Sequence, residues 1–323
     1  VNLFRDPRWG RGMETYGEDP LLQAKLGTAF VRGLQGDDPT HMKTAACAKH
    51  YVVHSGPEAL RHEFDAVAPK RDFYESYLPA FEALVREGAV ECVMCAYNRT
   101  YGEPACGSKL LLQDILRNDW GFEGHVVSDC GAVRDFHLHH KVAPDEAEAA
   151  AWALKAGTDV NCGNYYKHLP TALERGLIKE GDLDTALRRL LGTKLKLGFF
   201  DQSTAWSNLG PEVIEGEAHV ALALEAAQKS VVLLKNDNDV LPLDKNIRKL
   251  YVAGPHAANS DVLLGNYYGL SSNMVSILDG IVSKVSAGTS INYKYGQLPY
   301  RKNINPKDWT TGEAGRSDAT IAV

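Results

Sequence analysis

One aspartate, Asp129, stands where the sequence could present a reactive carboxylate. It follows the run Val126-Val127-Ser128 and precedes Cys130-Gly131, so a buried strand ends at the acid and a glycine then turns the chain. A carboxylate held rigidly at a strand end suits a nucleophile. The same aspartate could instead cap the next helix, and for the residue taken alone this second interpretation is the better one.

A cluster of donors follows an earlier strand of small residues. Lys49 and His50 come after this strand and precede His54, Arg61 and His62. Donors so close together suit the recognition of a hydroxyl-rich ligand through charge-assisted hydrogen bonds. Lys49 could alternatively form a Schiff base, since aldolase-type barrels use a lysine at a strand end, and this remains a rival chemistry.

The opening segment, residues 2–20, is dense in arginine, carboxylate, aromatic and glycine residues and has little apolar periodicity. Arg11 lies in its centre. Paired arginines and carboxylates beside aromatic rings can hold a sugar or an anion. They can equally form a structural ion-pair loop, and composition alone favours neither.

The cysteines and histidines give no metal site. Cys92 and Cys95 have C-x-x-C spacing, but side chains three apart on a strand face opposite sides, and no second such pair offers zinc ligands. Buried free thiols are therefore expected for most of the six cysteines. A histidine trio in a polar loop is expected to form a solvated surface. The residues concerned are Cys47, Cys92, Cys95, Cys106, Cys130 and Cys162, and His137, His139 and His140.

Composition excludes several classes of protein. The 323 residues carry 35 Lys and Arg against 41 Asp and Glu, a net charge of -6, so no cationic excess is available for a nucleic acid. No run approaches the roughly 18 apolar residues of a membrane span. With 44% hydrophobic residues the chain can bury sizeable cores, and its length allows about two domains.

The elements that position these residues alternate between strand and helix. Helices are predicted over 20–34, 73–87, 110–117, 146–155 and 183–197, and strands over 90–97, 125–128 and 158–160. Such alternation indicates parallel strands with helical crossovers, and a barrel is preferred to a doubly wound sheet. The chemistry then belongs at the carboxyl ends of the strands, where Lys49, Tyr97, Asp129 and Cys162 lie.

Residues 1–200 are assigned to this barrel-like domain and 201–217 to a linker rich in Ser, Gly, Asn and Pro. Residues 218–323 alternate again, with helices over 218–229 and near 274–284 and strands over 231–235, 249–254 and 291–295 and around Ile321. Both chain ends interrupt this pattern, so a fragment is expected, with the first barrel strands missing and the second domain partial.

Five segments together resemble glycoside hydrolase family 3. They are residues 2–20, 49–51, 93–98, 127–131 and 229–236, they occur in the family's order, and they span nearly the whole chain. The resemblance implies an α/β chain: a (β/α)8 TIM-barrel-like domain followed by an α/β sandwich domain, which together form a retaining β-glycosidase.

The resemblance also implies roles for individual residues. Asp129 would be the nucleophile of the two-step mechanism. Arg11, Lys49 and His50 would bind hydroxyls of the innermost sugar, and Tyr97 would line its subsite. Arg11 and Lys49 should keep Asp129 ionised. The general acid/base glutamate of the family is expected outside this chain, and no cofactor is implied because carboxylates and water suffice.

Within the family, the residue after the nucleophile is often Trp in β-glucosidases. Cys130 occupies this position here and resembles the β-xylosidase and arabinosidase branch instead. The resemblance implies a disulfide with Cys162 that narrows the pocket and favours a pentose. Such a bond would favour a periplasmic or secreted parent protein.

The expected function is that of an exo-1,4-β-xylosidase acting on xylo-oligosaccharides or other β-linked oligosaccharides, with the oligomeric state left open. A β-glucosidase or arabinosidase of the same family is the alternative. A lysine-dependent aldolase and a non-catalytic sugar-binding relative are the alternatives of other classes.

Overall fold

The computed structural model describes residues 1–264, 269–296, 300–302, 304 and 309–323. The chain divides into two compact units, Val1–Asn208 and Leu209–Val323. This division lies inside the segment 201–217 that composition suggests as a linker. No helix in the described ranges is long and apolar enough to cross a membrane.

Nine strands are present in the described ranges. They are β1 Cys47–Tyr51, β2 Asp65–Ala66, β3 Cys92–Cys95, β4 Arg99–Thr100, β5 Glu103–Pro104, β6 His125–Ser128, β7 Lys249–Ala253, β8 Ser290–Lys294 and β9 Ala319–Ala322. The predicted bounds of β6 are confirmed. The predicted strand 158–160 is reduced to a single parallel bridge between Val127 and Val160.

Ten α-helices accompany them over the same ranges. They are α1 Pro20–Gln35, α2 Lys70–Asp72, α3 Pro79–Arg86, α4 Ala132–Leu138, α5 Glu146–Ala156, α6 Leu169–Glu174, α7 Glu180–Lys196, α8 Glu217–Ser230, α9 Ile277–Val282 and α10 Trp309–Ala314. The stretches Phe73–Tyr77 and Leu110–Asp119 are π-helical. The start of α1 is confirmed, because the Asp19 side chain accepts from the N–H groups of Leu21 and Leu22.

The first unit is built on a parallel sheet in the order β1-β3-β6. Cys47 pairs with Cys92, and Cys92 pairs with His125, so the three strands start at the same level. The helical segments between them are the crossovers that parallel neighbours require. Residues at the carboxyl ends of these strands therefore share one edge of the sheet.

Apolar residues from the sheet and its crossovers form one core. Val93 on β3 and Val126 on β6 are fully buried, and Leu111 and Leu116 of the Leu110–Asp119 helix belong to the same buried cluster. Phe81 on α3 packs its ring edge-on against Tyr51, with ring centroids 5.2 Å apart. This packing fixes the strands whose ends carry the candidate site.

A buried polar cluster holds the amino end of β3. Glu91 is 5% exposed and accepts from Thr193 Oγ1 and Lys196 Nζ, each at 2.8 Å. Its backbone N–H donates to Gln35 Oε1 at 2.9 Å. A single residue therefore joins β3 to both α1 and α7, and the burial of its carboxylate is compensated by direct partners.

The second unit contains a parallel sheet in the order β8-β7-β9. Leu250 and Val252 of β7 form its small core with Ala257. The predicted strand 231–235 is wrong, because this segment is irregular and Val231 and Leu234 are 78% and 91% exposed. An apolar run forms a strand only where a neighbour accepts its backbone hydrogen bonds, and no described strand lies beside this one.

The expectation of free thiols is wrong for Cys95 and Cys106, which form a disulfide with their Cα atoms 5.1 Å apart. The short antiparallel pair β4–β5 folds the chain back after β3 and returns Cys106 to the end of that strand. The sequence between the two cysteines gives no direct sign of this reversal. Cys47 and Cys92 remain free thiols.

We expect Phe81→Ala to lower the free energy of unfolding of the first unit by about 3–5 kcal/mol, because it leaves a cavity beside Tyr51. The matched control is Phe30→Ala on α1, where the ring is 59% exposed and the cost should stay within about 0.5 kcal/mol. Urea denaturation of the three proteins gives both values. Equal losses in the two variants would contradict this account of the core.

Candidate active site

Asp129 follows β6 directly and is anchored through its backbone. Its N–H donates to the Cys95 carbonyl at 3.0 Å, and its side-chain Oδ1 accepts the Cys130 N–H at 2.8 Å. Gly131 then turns the chain with a φ of 88°, a conformation that favours glycine. These bonds hold the carboxylate in one orientation. The residue is also buried, with only 6% of its surface exposed.

The second carboxylate oxygen of Asp129, Oδ2, is buried and has no hydrogen-bond partner within the described structure. Two nitrogen atoms face it just beyond hydrogen-bond distance: Arg11 Nη1 lies at 3.6 Å and His50 Nε2 at 3.5 Å. A buried charged oxygen that is left unbonded is costly. Its presence at the sheet's carboxyl edge marks the place where a ligand would supply the missing contact.

Asn2 orients the His50 ring. The Asn2 Nδ2 group donates to the His50 carbonyl at 2.7 Å, and Asn2 Oδ1 accepts the His50 N–H at 2.8 Å while lying 3.2 Å from His50 Nδ1. Because this amide oxygen can only accept, Nδ1 carries the proton and Nε2 is left as an acceptor. Burial, followed by the neighbouring His54, lowers the pKa of His50, so the ring is neutral. It can accept a hydrogen bond from a ligand hydroxyl.

Glu14 connects the two cations of the site. It binds Arg11 in bidentate fashion, with Nε at 2.7 Å from Oε1 and Nη2 at 2.8 Å from Oε2, and its Oε2 also lies 3.0 Å from Lys49 Nζ. Burial opposes the charge of Glu14, but the hydrogen bonds from Arg11 and Lys49 outweigh it and lower the pKa of this carboxyl. The sequence reasoning did not single out Glu14. Its i,i+3 spacing from Arg11 was the available signal.

Arg11 and Lys49 favour the ionised form of Asp129, but theirs is not the largest effect on its pKa. Burial raises the pKa of Asp129 above its ordinary value and outweighs the opposing effects of the Cys130 N–H, Arg11, the Tyr97 hydroxyl and Lys49. The cations do act in the expected direction. Desolvation is the larger effect because the carboxylate is almost out of contact with water.

Tyr97 and a disulfide form another side of the site. The Tyr97 hydroxyl donates to the Cys130 carbonyl at 2.8 Å, and Cys130 and Cys162 are joined with their Cα atoms 4.4 Å apart. The Gly131 N–H donates to the Cys162 carbonyl at 2.7 Å. The cross-link therefore fixes the turn after Asp129 to the segment after Val160.

The expectation that His137, His139 and His140 form a solvated surface is wrong for His140. His140 is buried, and His139 Nε2 lies 3.8 Å from the fully buried Asp135, whose Oδ2 lies 2.7 Å from His62 Nδ1. Burial raises the pKa of Asp135 despite these neighbours. Within the described residues no group of three potential ligands could hold a metal ion.

Comparison with known proteins gives two family matches. Residues 1–193 match the glycosyl hydrolase family 3 N-terminal domain, and residues 231–323 match the family's C-terminal domain. Xylan 1,4-beta-xylosidase of Xylanibacter ruminicola is 49% identical over 88% of this chain and 34% of the relative. A probable exo-1,4-beta-xylosidase of Aspergillus clavatus is 42% identical over 90% of this chain and 40% of the relative. The chain thus spans well under half of these relatives.

Solved structures agree with the fold. A family 3 exo-beta-xylosidase, XlnD, in complex with a xylobiose aziridine activity-based probe matches with a TM-score of 0.91 and 34% identity over 99% of this chain and 42% of that chain. A beta-glucosidase from Listeria innocua in complex with glucose matches with a TM-score of 0.86 and 31% identity over 100% of this chain and 44% of that chain. The predicted fold class, a TIM-barrel-like domain followed by an α/β sandwich domain, is confirmed.

We expect Asp129→Asn to raise the melting temperature near pH 7. Because the folded pKa of Asp129 is raised, this group stabilises the fold fully only below its unfolded pKa, and the contribution is lost as the pH rises through the folded pKa. Asn has no charge to bury, so its advantage should be present at neutral pH, shrink as the pH falls through the folded pKa of Asp129, and be absent below about pH 4. Calorimetric unfolding between about pH 3 and pH 7 measures it.

The matched control is Asp38→Asn in the same unit. The N–H groups of His41 and Thr40 lower the pKa of Asp38, so here the ionised form is the favoured one. The Asp38→Asn variant should therefore gain no stability at neutral pH. A melting temperature that falls at neutral pH on substitution of Asp129 would contradict the stated burial cost.

Proposed function

The chain belongs to glycoside hydrolase family 3, and on that premise we propose that the protein is a retaining exo-1,4-β-xylosidase that releases xylose from the non-reducing ends of xylo-oligosaccharides. The observation that carries the proposal is the Asp129 carboxylate, whose buried and unbonded Oδ2 faces Arg11 and His50. An oxygen that accepts no hydrogen bond keeps its lone pairs available for attack on a substrate carbon.

In the proposed first step, Asp129 Oδ2 attacks the anomeric carbon and the bond to the leaving oxygen breaks. This gives a glycosyl ester on Asp129, while the leaving oxygen takes a proton from a general acid. In the second step a water molecule attacks the same carbon, loses a proton to the conjugate base, and the ester bond returns its electrons to Asp129. Two inversions leave the β-configuration of the released sugar unchanged.

The innermost sugar is proposed to be held by Arg11, Lys49 and His50. The two cations would donate to hydroxyl oxygens, and neutral His50 would accept from a hydroxyl through Nε2. Arg11 and His50 lie beside Asp129, and Lys49 is connected to Arg11 through their shared partner Glu14. Hydroxyl recognition at fixed points would bring the anomeric carbon to the carboxylate.

Glu14 is not suited to be the general acid. A general acid at neutral pH needs a raised pKa, whereas the bonds from Arg11 and Lys49 lower the pKa of Glu14. Glu14 is therefore not proposed as the acid/base residue.

The preference for xylose is supported by the Cys130–Cys162 disulfide. It holds two segments together beside Asp129, and we propose that this leaves too little room there for the hydroxymethyl group of a hexose. The names of the relatives agree, since both sequence relatives described above are named xylosidases. A β-glucosidase is the second candidate, because the Listeria innocua enzyme, which matches the chain closely in structure, is a beta-glucosidase.

The structure disfavours a lysine-dependent aldolase. A Schiff base requires a neutral amine, but Lys49 Nζ lies 3.0 Å from the Glu14 carboxylate, and this pairing favours the ammonium form. A non-catalytic sugar-binding relative would retain the hydroxyl contacts but would form no covalent adduct.

We expect 2,4-dinitrophenyl 2-deoxy-2-fluoro-β-xyloside to inactivate the protein and to leave a fluoroxylosyl ester on Asp129. The dinitrophenolate leaves without protonation, so the reaction depends on the nucleophile and not on the general acid. Intact mass and peptide mapping identify the site. The corresponding fluoroglucoside should react more slowly.

Asp129→Asn should give no adduct, and the Asp38→Asn control should leave labelling unchanged. Faster labelling by the glucoside would favour the β-glucosidase. Saturable xylose binding without any adduct would favour the sugar-binding relative, and an adduct on another carboxylate would reject Asp129.

Breaking the disulfide should relax the sugar preference. We expect Cys162→Ala to lower the ratio of kcat/KM for aryl xyloside over aryl glucoside by about 10-fold, the low end of what one additional methylene costs in a tight pocket. The two turnover rates measure the ratio.

The control is Cys106→Ala, which breaks the Cys95–Cys106 disulfide instead. Both variants should lose about 2–4 kcal/mol of stability, but only Cys162→Ala should change the ratio. An unchanged ratio in Cys162→Ala would mean that the bond does not set specificity.

A further inference from the structure

The carboxylate of Glu14 binds Arg11 and Lys49, the two cations near the proposed nucleophile Asp129. Glu14 occupies two nitrogen atoms of Arg11, Nε and Nη2, and leaves Nη1 3.6 Å from Asp129 Oδ2. It also contacts Lys49 at 3.0 Å. The side chains of Arg11 and Glu14 are only 10% and 18% exposed, so water screens these charges weakly.

The backbone around Glu14 is tightly packed. Arg11 precedes the single helical turn Gly12–Glu14, and Glu14 is its last residue. Gly12 packs so closely against Phe4 that an added Cβ would overlap the ring. The following Thr15 bonds to the Asn2 carbonyl, which also accepts from the buried Gln23. The Glu14 side chain is therefore presented from a fixed position, and it is not an adaptable surface group.

The proposed function requires cations close to the sugar and also an Asp129 oxygen that those cations do not occupy, and this geometry meets both requirements. Cations are needed to hold the sugar, but an arginine in bidentate contact with Asp129 would occupy the oxygen that must attack and would reduce its basicity. Because Glu14 takes the bidentate edge of Arg11, the guanidinium is turned with a single nitrogen toward Asp129. The two cations, Arg11 and Lys49, are thus balanced by two carboxylates, those of Glu14 and Asp129.

We propose that Glu14 is a positioning residue that holds Arg11 and Lys49 away from Asp129, so that the nucleophile stays unbonded and retains its basicity. This inference rests on the proposed function for the role of Asp129. Glu14 itself touches no substrate in this account and acts through the two cations. Removal of its charge leaves both cations to act on Asp129, and Arg11 can then turn its edge toward Oδ2.

The charged and titratable side chains that act most strongly on Asp129 are Arg11, Tyr97 and Lys49. His50 Nε2 lies 3.5 Å from Oδ2 with His54 beside it, and Arg134 of α4 reaches the turn at Gly131. Burial lowers the pKa of both histidines, and burial together with the charge of Asp129 raises the pKa of Tyr97. Neither the histidines nor the tyrosine gains or loses charge near neutral pH, so a change at Asp129 can be assigned to Glu14 and its cations.

The test is the pKa of Asp129 measured by NMR with ¹³C-labelled aspartate carboxyls, its resonance being assigned by its loss in Asp129→Asn. We expect Glu14→Gln to lower this pKa by about 0.5–1 unit, since it removes one nearby negative charge. Glu14→Asp keeps the charge but is one methylene too short to grip both cations, so its shift should lie between. The rate of Asp129 labelling by the dinitrophenyl fluoroxyloside at neutral pH should fall about 10-fold in Glu14→Gln.

The charge-matched control is Glu75→Gln, which removes an exposed carboxylate paired with Arg71 in the same unit and should shift nothing. An unchanged pKa in Glu14→Gln overturns the proposal, as does a shift of equal size in the control. If Glu14→Gln does not fold, an unchanged pKa in Glu14→Asp overturns it instead.

The outcomes separate this inference from the proposed function. If the wild-type protein forms no adduct but the pKa shifts as stated, the xylosidase proposal fails and the role of Glu14 in setting the charge of Asp129 stands. If the adduct forms on Asp129 and the pKa does not shift, the function stands and the role of Glu14 is rejected.

Discussion

A carboxylate oxygen that is buried without a hydrogen bond is the constraint on which the candidate site depends. Asp129 Oδ2 has lost most of its contact with water and, among the described residues, has received no hydrogen bond in return. The fold tolerates the cost because the rest of the residue is secured by the bonds to Cys95 and Cys130. In the proposed function, the stability lost at this oxygen leaves it available for attack, a trade-off that is common where a site must be preorganised.

The neighbours of that oxygen are arranged so that neither Arg11 nor His50 satisfies it. Arg11 is committed to Glu14, and His50 is held by Asn2 with its acceptor nitrogen turned inward. Each contact within the site therefore restrains a group that would otherwise relax onto the carboxylate. The parallel sheet makes this arrangement possible, because neighbouring strand ends bring residues from distant parts of the chain to one edge.

Sequence reasoning succeeds where the signal is local. The Asp19 cap defines the start of α1, and the buried run before Asp129 defines β6. It fails where the outcome depends on a partner distant in the chain: the apolar segment 231–235 has no neighbouring strand among the described residues, and the Cys95–Cys106 bond needs a reversal that no residue announces. For Glu14 the i,i+3 spacing signals only the pair with Arg11, because the second partner, Lys49, lies far along the sequence.

The two ends of the sheet are secured by different means. At the amino end, Glu91 ties β3 to α1 and α7, whereas the candidate site lies wholly at the carboxyl end. Anchorage and chemistry are therefore separated by the length of a strand. The bonds that hold β3 to α1 and α7 involve none of the side chains around Asp129, so a substitution at the site leaves this anchorage in place.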